Sequence, residues 1–389
     1  MSPPQPATAA TSRARNPMLR PHVSEWFGHR VFPEVSASPA AVSDQRAGRC
    51  PFLSGTLGRS TSCVKAENSK GVCTISASSN GPRQDWLVCP YRALDDRLLA
   101  SIVRRLYDIA DGTDVLIRPV VSLQDDTGRA EILTAASGEG TARAFVYFQD
   151  KLGGEIGLSP TPASPELSFD ITVVELLPAD PATTPALPGV ATPPVRIGKY
   201  GVIELQTMDT HGSYKHAVTA LANALDLHGD SFPQMLAGNP EWAGRRIEGP
   251  NISNVFKRTF YQIAFKFQVT ARDTSAGCAL ALPKPVWDSW QPFLGAPELH
   301  EHPDGTWRLL DDQHAHPSDW IYVFDIGEEP SPGGGPAALD TGLVIGTDAA
   351  TLSRAAFDIA PAKAVSYGDG TDAVVTAIMR RLTRYLPVA

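Results

Sequence analysis

Apolar residues recur at helical spacing in several parts of this chain. In the segment 92–110, Leu94, Leu98, Ile102 and Leu106 are each one helical turn apart, which predicts an amphipathic helix. The same periodicity predicts helices at residues 211–227, 253–269 and 372–385.

Shorter apolar runs predict strands between these helices, at residues 144–148, 167–177, 201–206 and 320–324. Within 201–206, alternation places Val202, Glu204 and Gln206 on one face, so Ile203 and Leu205 are expected to face the core. Strands that alternate with helices predict an α/β core with attached elements. The proline-rich stretch 178–194 and the glycine-rich stretch 331–336 are predicted to be loops.

Composition narrows the classes of protein that fit this pattern. The chain has 389 residues with 42% apolar residues, enough for two domains or one large domain with additions. The net charge of −8 argues against a protein that coats nucleic acid, but not against an enzyme with basic groups along one groove. Neither a membrane-spanning apolar run nor a secretory signal is found, so a reducing, cytoplasmic location without disulfides is expected.

Two carboxylates and an amide form the most informative chemical pattern. Asp170 follows a short loop, and Glu204 and Gln206 lie on one face of the strand predicted at 201–206. This resembles the motif of PD-(D/E)xK nucleases, with glutamine in place of lysine. Such a site binds Mg²⁺ through hard oxygen ligands. The pattern also occurs by chance, so taken alone it is compatible with an ordinary loop aspartate and an edge-strand glutamate.

Four of the five cysteines fall between residues 50 and 89, and they are Cys50, Cys63, Cys73 and Cys89. Their spacing is not that of a zinc ribbon. Four thiolates nevertheless suit zinc or iron, and nearby lysines and backbone N–H groups would offset their charge. Four unrelated buried cysteines are the alternative. Cys278 lies in the apolar run 277–282 and is expected to be a core residue.

Several longer blocks carry a resemblance to a known family. They lie at residues 27–31, 50–53, 62–67, 71–73, 85–90, 147–155, 169–170, 204–209, 211–218 and 248–262. Over about residues 24–325, these blocks resemble the NotI-type restriction endonucleases. Residues 248–262 form the most specific block because the likeness there is long and without gaps.

This resemblance implies a fold, an activity and a set of partners. The fold is a PD-(D/E)xK nuclease core, with a mixed central sheet flanked by helices and a small metal-binding element at the N-terminal side. The activity is Mg²⁺-dependent cleavage of double-stranded DNA by a homodimer at a GC-only palindrome, such as GCGGCCGC or another word with a CGGCCG core. The cuts would leave 5′ overhangs, and a cognate DNA methyltransferase would act in the same host.

The resemblance also assigns roles to individual residues. The implied catalytic residues are Glu155, Asp170, Glu204 and Gln206, with Mg²⁺ on Asp170 and Glu204. It gives the four cysteines an iron ion, although Cys50 and Cys63 are closer together than in the family pattern, and zinc stays open from the residue types alone. The expected organisation is a disordered lead-in at 1–23, the four-cysteine element at 24–92, the nuclease and DNA-recognition domain at 93–330 and a C-terminal extension at 331–389.

Basic residues near the implied site are candidates for DNA contacts, and they are Lys215, Lys257, Arg258 and Lys266. Arginine and lysine donate to guanine O6 and N7 in the major groove, although a solvated helix face is the alternative. His211 and His216 are expected to be structural or to contact phosphate. Two other functions stay open: a non-catalytic DNA-binding protein with a structural metal, and a repair nuclease of the same fold without sequence specificity.

Overall fold

The computed structural model describes residues 20–78, 82–138, 142–179, 195–208, 213–310, 312, 315–327, 334–366 and 373–386. Within these residues the chain is a mixed α/β protein built on one large sheet and one small sheet. No helix in the described ranges is long and apolar enough to cross a membrane.

The small sheet has four strands in the order β2-β1-β3-β4. These strands are β1 (His22–Trp26), β2 (His29–Arg30), β3 (Val72–Ser78) and β4 (Arg83–Leu87). All five residues of β1 are buried, and this strand begins two residues before the predicted start at residue 24. Two short helices lie between β2 and β3, and they are α1 (Pro39–Ala47) and α2 (Pro51–Leu57).

The large sheet has nine strands in the order β12-β13-β15-β14-β11-β10-β9-β6-β5. Its strands are β5 (Val115–Pro119), β6 (Arg143–Phe148), β9 (Ile171–Pro178), β10 (Val195–Leu205), β11 (Ser275–Pro283), β12 (His300–Glu301), β13 (Trp307–Arg308), β14 (Asp319–Ile326) and β15 (Leu339–Thr347). At its centre, β10, β11 and β14 are parallel, whereas β9 is antiparallel to both β6 and β10. The strands β7 (Ile156–Leu158) and β8 (Leu167–Phe169) form a separate two-stranded ribbon.

The remaining helices are α3 (Asp96–Leu106), α4 (Asp126–Ala136), α5 (Lys215–His228), α6 (Phe232–Gly238), α7 (Ile252–Thr270), α8 (Lys284–Trp290), α9 (Ala349–Arg354), α10 (Ala360–Val365) and α11 (Ala373–Leu382). The side chain of Asp95 begins α3 by accepting hydrogen bonds from the backbone N–H groups of Arg97 and Leu98, a cap that contributes about 1 kcal/mol. The predicted helices are confirmed, with boundaries that differ by a few residues, and so are the strands at 144–148, 201–206 and 320–324 and the mixed α/β class. The single strand predicted at 167–177 is wrong, because β8 and β9 are separate strands with Asp170 between them.

The prediction that β10 buries only one face is wrong. Ile203 and Leu205 pack with α3 in one core, as expected, but Val202 is also fully buried, in a second core with α5 and α7. The strand lies in the middle of a sheet covered on both faces, where strands are apolar throughout rather than alternating. Glu204 is therefore a buried carboxylate on the α7 side.

Three further observations bear on the sequence predictions. The strand β15 falls in the segment expected to be a C-terminal extension, yet it pairs with β14 in the large sheet. Cys278 is in β11 and fully buried, which confirms its predicted place in the core. Most of the loops predicted at 178–194 and 331–336, and His211, lie outside the described residues.

Candidate active site

Asp170 and Glu204 meet where β8, β9 and β10 come together. Asp170 is the residue between β8 and β9, and the antiparallel register of Ile171 with Ile203 brings it beside Glu204. The backbone N–H of Asp170 donates to Oε1 of Glu204 at 3.3 Å. The N–H of Leu205 donates to Oδ2 of Asp170 at 2.9 Å. The backbone of two strands thus holds the two predicted carboxylates as neighbours.

Glu204 is almost completely removed from water, with 5% of its surface exposed. Its Oε2 accepts a hydrogen bond from Nζ of Lys266, itself buried on α7. Burial, and then the charge of Asp170, raise the pKa of Glu204 to about 8, although Lys266 acts in the opposite direction. Two like charges in a buried site favour a proton or a cation between them.

Glu155 approaches this pair from the ribbon of β7 and β8. A turn with positive φ at Gly153 and Gly154 (+107° and +84°) precedes it. A Cβ on Gly153 would lie 2.1 Å from Val120, so only glycine fits there. Because Ile156 pairs with Phe169, Glu155 lies next to Asp170. Its pKa is raised by partial burial and then by the charge of Asp170.

Gln206 follows β10 directly, and its side chain contacts other parts of the protein at both ends. Its Nε2 donates to the backbone carbonyl of Thr207, and its Oε1 accepts from the hydroxyl of Thr259 on α7. Its backbone N–H continues the parallel pairing by donating to the carbonyl of Ala281 at 2.9 Å. The amide therefore connects the end of β10 to α7.

Lys266 is not placed with the other candidate DNA contacts. It is 5% exposed and lies on the face of α7 that covers the carboxylates, with its Nζ 5.9 Å from the ring centre of Phe169. Sequence reasoning missed this position and that of Thr259. A signal was present, because Thr259, Gln262 and Lys266 are polar residues three and four positions apart and therefore share one face of the helix.

A cavity of about 590 Å³ opens beside these groups, between the end of β10 and α7. Asp170, Glu204, Gln206, Thr259 and Lys266 all line it. Tyr261 and Gln262 also line it, and Tyr261 is 62% exposed, so the cavity reaches the protein surface. The cavity is large enough for a phosphodiester group and its neighbouring sugars, and two carboxylates and an ammonium group line it.

The other predicted basic residues are on the surface. Lys257 and Arg258 are exposed on α7, two turns before Lys266, and Lys215 is the exposed first residue of α5. His216 is exposed and lies 3.3 Å from Nη1 of Arg246. The structure therefore divides the four basic candidates into three surface cations and one buried cation.

The four clustered cysteines are neighbours in space. Cys50 immediately precedes α2, Cys73 is in β3, Cys89 follows β4, and Cys63 is in the intervening loop. The backbone N–H of Gly71 donates to Sγ of Cys63 at 3.4 Å. All four are free thiols.

The surroundings of these thiols shift their pKa values in opposite directions. A hydrogen bond with Cys73 and the ammonium of Lys65 lower the pKa of Cys89 to about 6, against the effect of its burial. Burial raises the pKa of Cys50 to about 11. Nζ of Lys65 donates to the carbonyls of Val72 and Val88, at 2.8 and 3.1 Å, which fixes this positive charge beside the cysteines.

The cysteine element is hydrogen-bonded to two segments next to the candidate active site. The N–H of Met208, just beyond Gln206, donates to the carbonyl of Leu87 at 2.6 Å. The hydroxyl of Tyr91, two residues after Cys89, donates to Oδ2 of Asp150 at 2.9 Å. Asp150 begins the turn that leads to Glu155. Hydrogen bonds therefore link the cysteine element to the segments that carry Gln206 and Glu155.

The four cysteines and the two carboxylates, Asp170 and Glu204, differ in how well they are arranged to bind a metal. Within the described ranges, no three or more His, Cys, Asp or Glu side chains are arranged as a group that could hold a metal ion. The four thiols are thus close but not gathered around one point. Asp170 and Glu204 are only two ligands, and two carboxylates fit Mg²⁺, which completes its shell with waters and substrate phosphate.

A scan against protein-family models and a search of curated proteins each found no match to this chain.

Proposed function

We propose that this protein is a magnesium-dependent endonuclease of the PD-(D/E)xK type that hydrolyses double-stranded DNA. The observation that carries the proposal is the direct juxtaposition of Asp170 and Glu204 beside a surface cavity. The mixed sheet flanked by helices is compatible with such a core. Two carboxylates on adjacent strand ends are what the motif requires.

Asp170 and Glu204 are the residues that would hold Mg²⁺, since both present carboxylate oxygens to the cavity. When bound, the ion would polarise the scissile phosphate and make a water molecule a better nucleophile. The donor set fits the ion because Mg²⁺ prefers hard oxygen ligands and is commonly held by one or two carboxylates.

The chain's own residues supply the rest of the chemistry. A water oxygen would form a new bond to phosphorus while the bond from phosphorus to O3′ breaks, giving a 5′-phosphate and a 3′-hydroxyl. Glu155, beside Asp170, would orient that water and take its proton, and the leaving oxygen would take a proton from solvent. The buried position of Glu204 keeps its carboxylate fixed during this step.

Recognition of the duplex is assigned to the exposed cations on α5 and α7. Lys257 and Arg258 lie on α7, which borders the cavity, and Lys215 is the first residue of α5. Phosphate contacts would position the duplex, and arginine or lysine would read guanine edges. A NotI-type specificity would then follow, with a homodimer reading a GC-only palindrome and leaving 5′ overhangs.

The four-cysteine element would bind iron or zinc. The clustering of four free thiols, with Lys65 fixed beside them, supports this proposal. Binding would require the sulfur atoms to move closer together than they are here. The hydrogen bonds made by Leu87 and Tyr91 connect this element to the segments beside the candidate active site.

Digestion of a sequenced GC-rich plasmid, with Mg²⁺ or with EDTA, tests the proposal. We expect discrete fragments only with Mg²⁺, with ends that map to one palindromic word of G and C. Binding without cleavage would instead favour a non-catalytic DNA-binding protein. Nicks at random positions would favour a nuclease without sequence specificity.

A further inference from the structure

The lysine that the PD-(D/E)xK motif places on the strand is glutamine in this chain, yet the cavity holds a lysine from elsewhere. Lys266 reaches the carboxylates from α7, and its Nζ donates to Oε2 of Glu204. A lysine that is 5% exposed is costly to bury and is retained only where its charge is compensated. The structure thus contains a positive charge at the carboxylates without a lysine at position 206.

The ammonium group of Lys266 has N–H donors that can bind a ligand. An ammonium group carries three N–H donors. Across the described part of the chain, Glu204 is its one hydrogen-bonding partner, so two donors remain for groups bound in the cavity that Lys266 lines.

Gln206 is already engaged on both sides. Its Nε2 donates to Thr207 and its Oε1 accepts from Thr259. Because these contacts run to the backbone after β10 and to α7, they fix the distance between strand and helix. The same helix carries Lys266 two turns further along.

We propose that Lys266 is the catalytic cation of this site and that Gln206 is a positioning residue that holds α7 against β10. Lys266 donates to the non-bridging oxygens of the attacked phosphate and stabilises the charge that develops on them. Gln206 acts through Thr259 and does not touch the reacting atoms. This inference rests on the proposed nuclease function.

The test compares Lys266→Met with Gln206→Ala in single-turnover cleavage of a duplex containing the recognised word, with Mg²⁺. We expect Lys266→Met to bind the duplex as the wild type does and to cleave about 100-fold more slowly, because one preorganised electrostatic contact is lost. Gln206→Ala should lose less rate than Lys266→Met and more thermal stability. Lys284→Met, which removes an exposed lysine paired with Asp288 on α8, is the matched control and should cleave normally.

Two results would overturn the assignment. One is a folded Lys266→Met protein that cleaves at nearly the wild-type rate. The other is a Gln206→Ala protein that melts like the wild type and loses at least as much rate as Lys266→Met. If Lys266→Met does not fold, the Lys266→Arg variant tests the role instead. We expect it to keep at least about one tenth of the wild-type cleavage rate, since the positive charge is kept. An arginine variant with the wild-type melting temperature and no cleavage would contradict the proposal.

Failure of the Lys266 assignment can be distinguished from failure of the proposed nuclease function. A wild-type protein that never cleaves DNA with Mg²⁺ refutes the proposed function. A wild type that cleaves, an Asp170→Asn protein that does not, and a Lys266→Met protein that does would refute only the role of Lys266.

Discussion

The backbone N–H of Leu205 donates a 2.9 Å hydrogen bond to the carboxylate of Asp170. These residues are 35 positions apart in sequence, Asp170 directly before β9 and Leu205 at the end of the neighbouring strand β10. The bond fixes one carboxylate oxygen of Asp170 at the end of β10, where Glu204 stands. Because backbone groups of a central sheet make this arrangement, it is rigid before any ligand enters the cavity.

Replacement of Glu204 by glutamine should separate binding from cleavage. Glu204→Gln keeps the side-chain volume and removes the charge that would hold Mg²⁺, without removing a predicted base contact. We expect cleavage to fall by about 100-fold or more while duplex affinity in EDTA stays the same. Glu298→Gln, at an exposed position away from the cavity, is the control. Weakened binding in EDTA with a parallel loss of cleavage would contradict this separation.

The stability of the metal-free protein should depend on the ionisation of Glu204. Its pKa is about 8 in the folded protein and 4.5 in its ordinary range, so the folded state holds the proton more tightly. Stability from this group is complete below pH 4.5 and is lost as the pH rises toward 8, at about 1.4 kcal/mol for each unit of pKa difference. Mg²⁺ competes with the proton and should stabilise the protein more at pH 8 than at pH 6.

Thermal melting at several pH values, with and without Mg²⁺, measures this linkage. Glu204→Gln cannot ionise, so its melting curves should lack this contribution and gain little from Mg²⁺. Equal pH dependence in the wild type and in Glu204→Gln would show that another group is responsible.

The cysteine element should carry a structural metal. Purified protein is expected to contain about one iron or zinc per chain, and Cys63→Ser should lower both metal content and melting temperature. Cys278→Ala is the control because Cys278 lies in β11, away from the cluster, and it should leave metal content unchanged. Elemental analysis that finds no metal in a stable wild-type protein would exclude the metal.

The hydrogen bond between Tyr91 and Asp150 should transmit changes in the cysteine element to Glu155. Tyr91→Phe removes the 2.9 Å bond and leaves the ring, so a loss of about 1 kcal/mol in unfolding free energy is expected. If the link positions the turn before Glu155, the cleavage rate should fall while metal content stays normal. An unchanged rate would show that the turn is held in place without Tyr91.

Surface cations on α7 should differ in what they contact. If Arg258 reads a guanine, Arg258→Ala should cost about 1–3 kcal/mol and relax discrimination at one position of the word. If Lys257 contacts a phosphate, Lys257→Ala should weaken binding to all sequences and lower the salt slope by about one. Binding titrations at several salt concentrations, on the recognised word and on single-base variants, distinguish the two.

Local patterns predicted most of the elements around the site. The alternation of residues 201–206 located β10, and helical periodicity located α5 and α7. Asp170 and Glu204 were predicted from a motif, and the register of β9 with β10 brings them together. These features depend on short-range spacing, which a sequence displays directly.

Other features depend on packing between distant segments. Lys266 resembles any basic residue on an amphipathic helix, and only the packing of α7 against β10 turns it toward Glu204. The same packing buries Val202, which alternation placed with Glu204 and Gln206 on the face opposite the expected core. The neighbourhood of the four cysteines likewise depends on how β3 and β4 pair, which their irregular spacing does not encode.

The most direct test of the central claim is the single-turnover rate at which purified protein cleaves a sequenced GC-rich duplex, measured for the wild type and for Asp170→Asn. We predict Mg²⁺-dependent cleavage of both strands at one palindromic word by the wild type. Asp170→Asn should bind the same duplex and leave it intact. Cleavage by Asp170→Asn at the wild-type rate, or cleavage by the wild type in EDTA, would contradict the assignment of Asp170 and Glu204 as the magnesium-binding carboxylates of a nuclease.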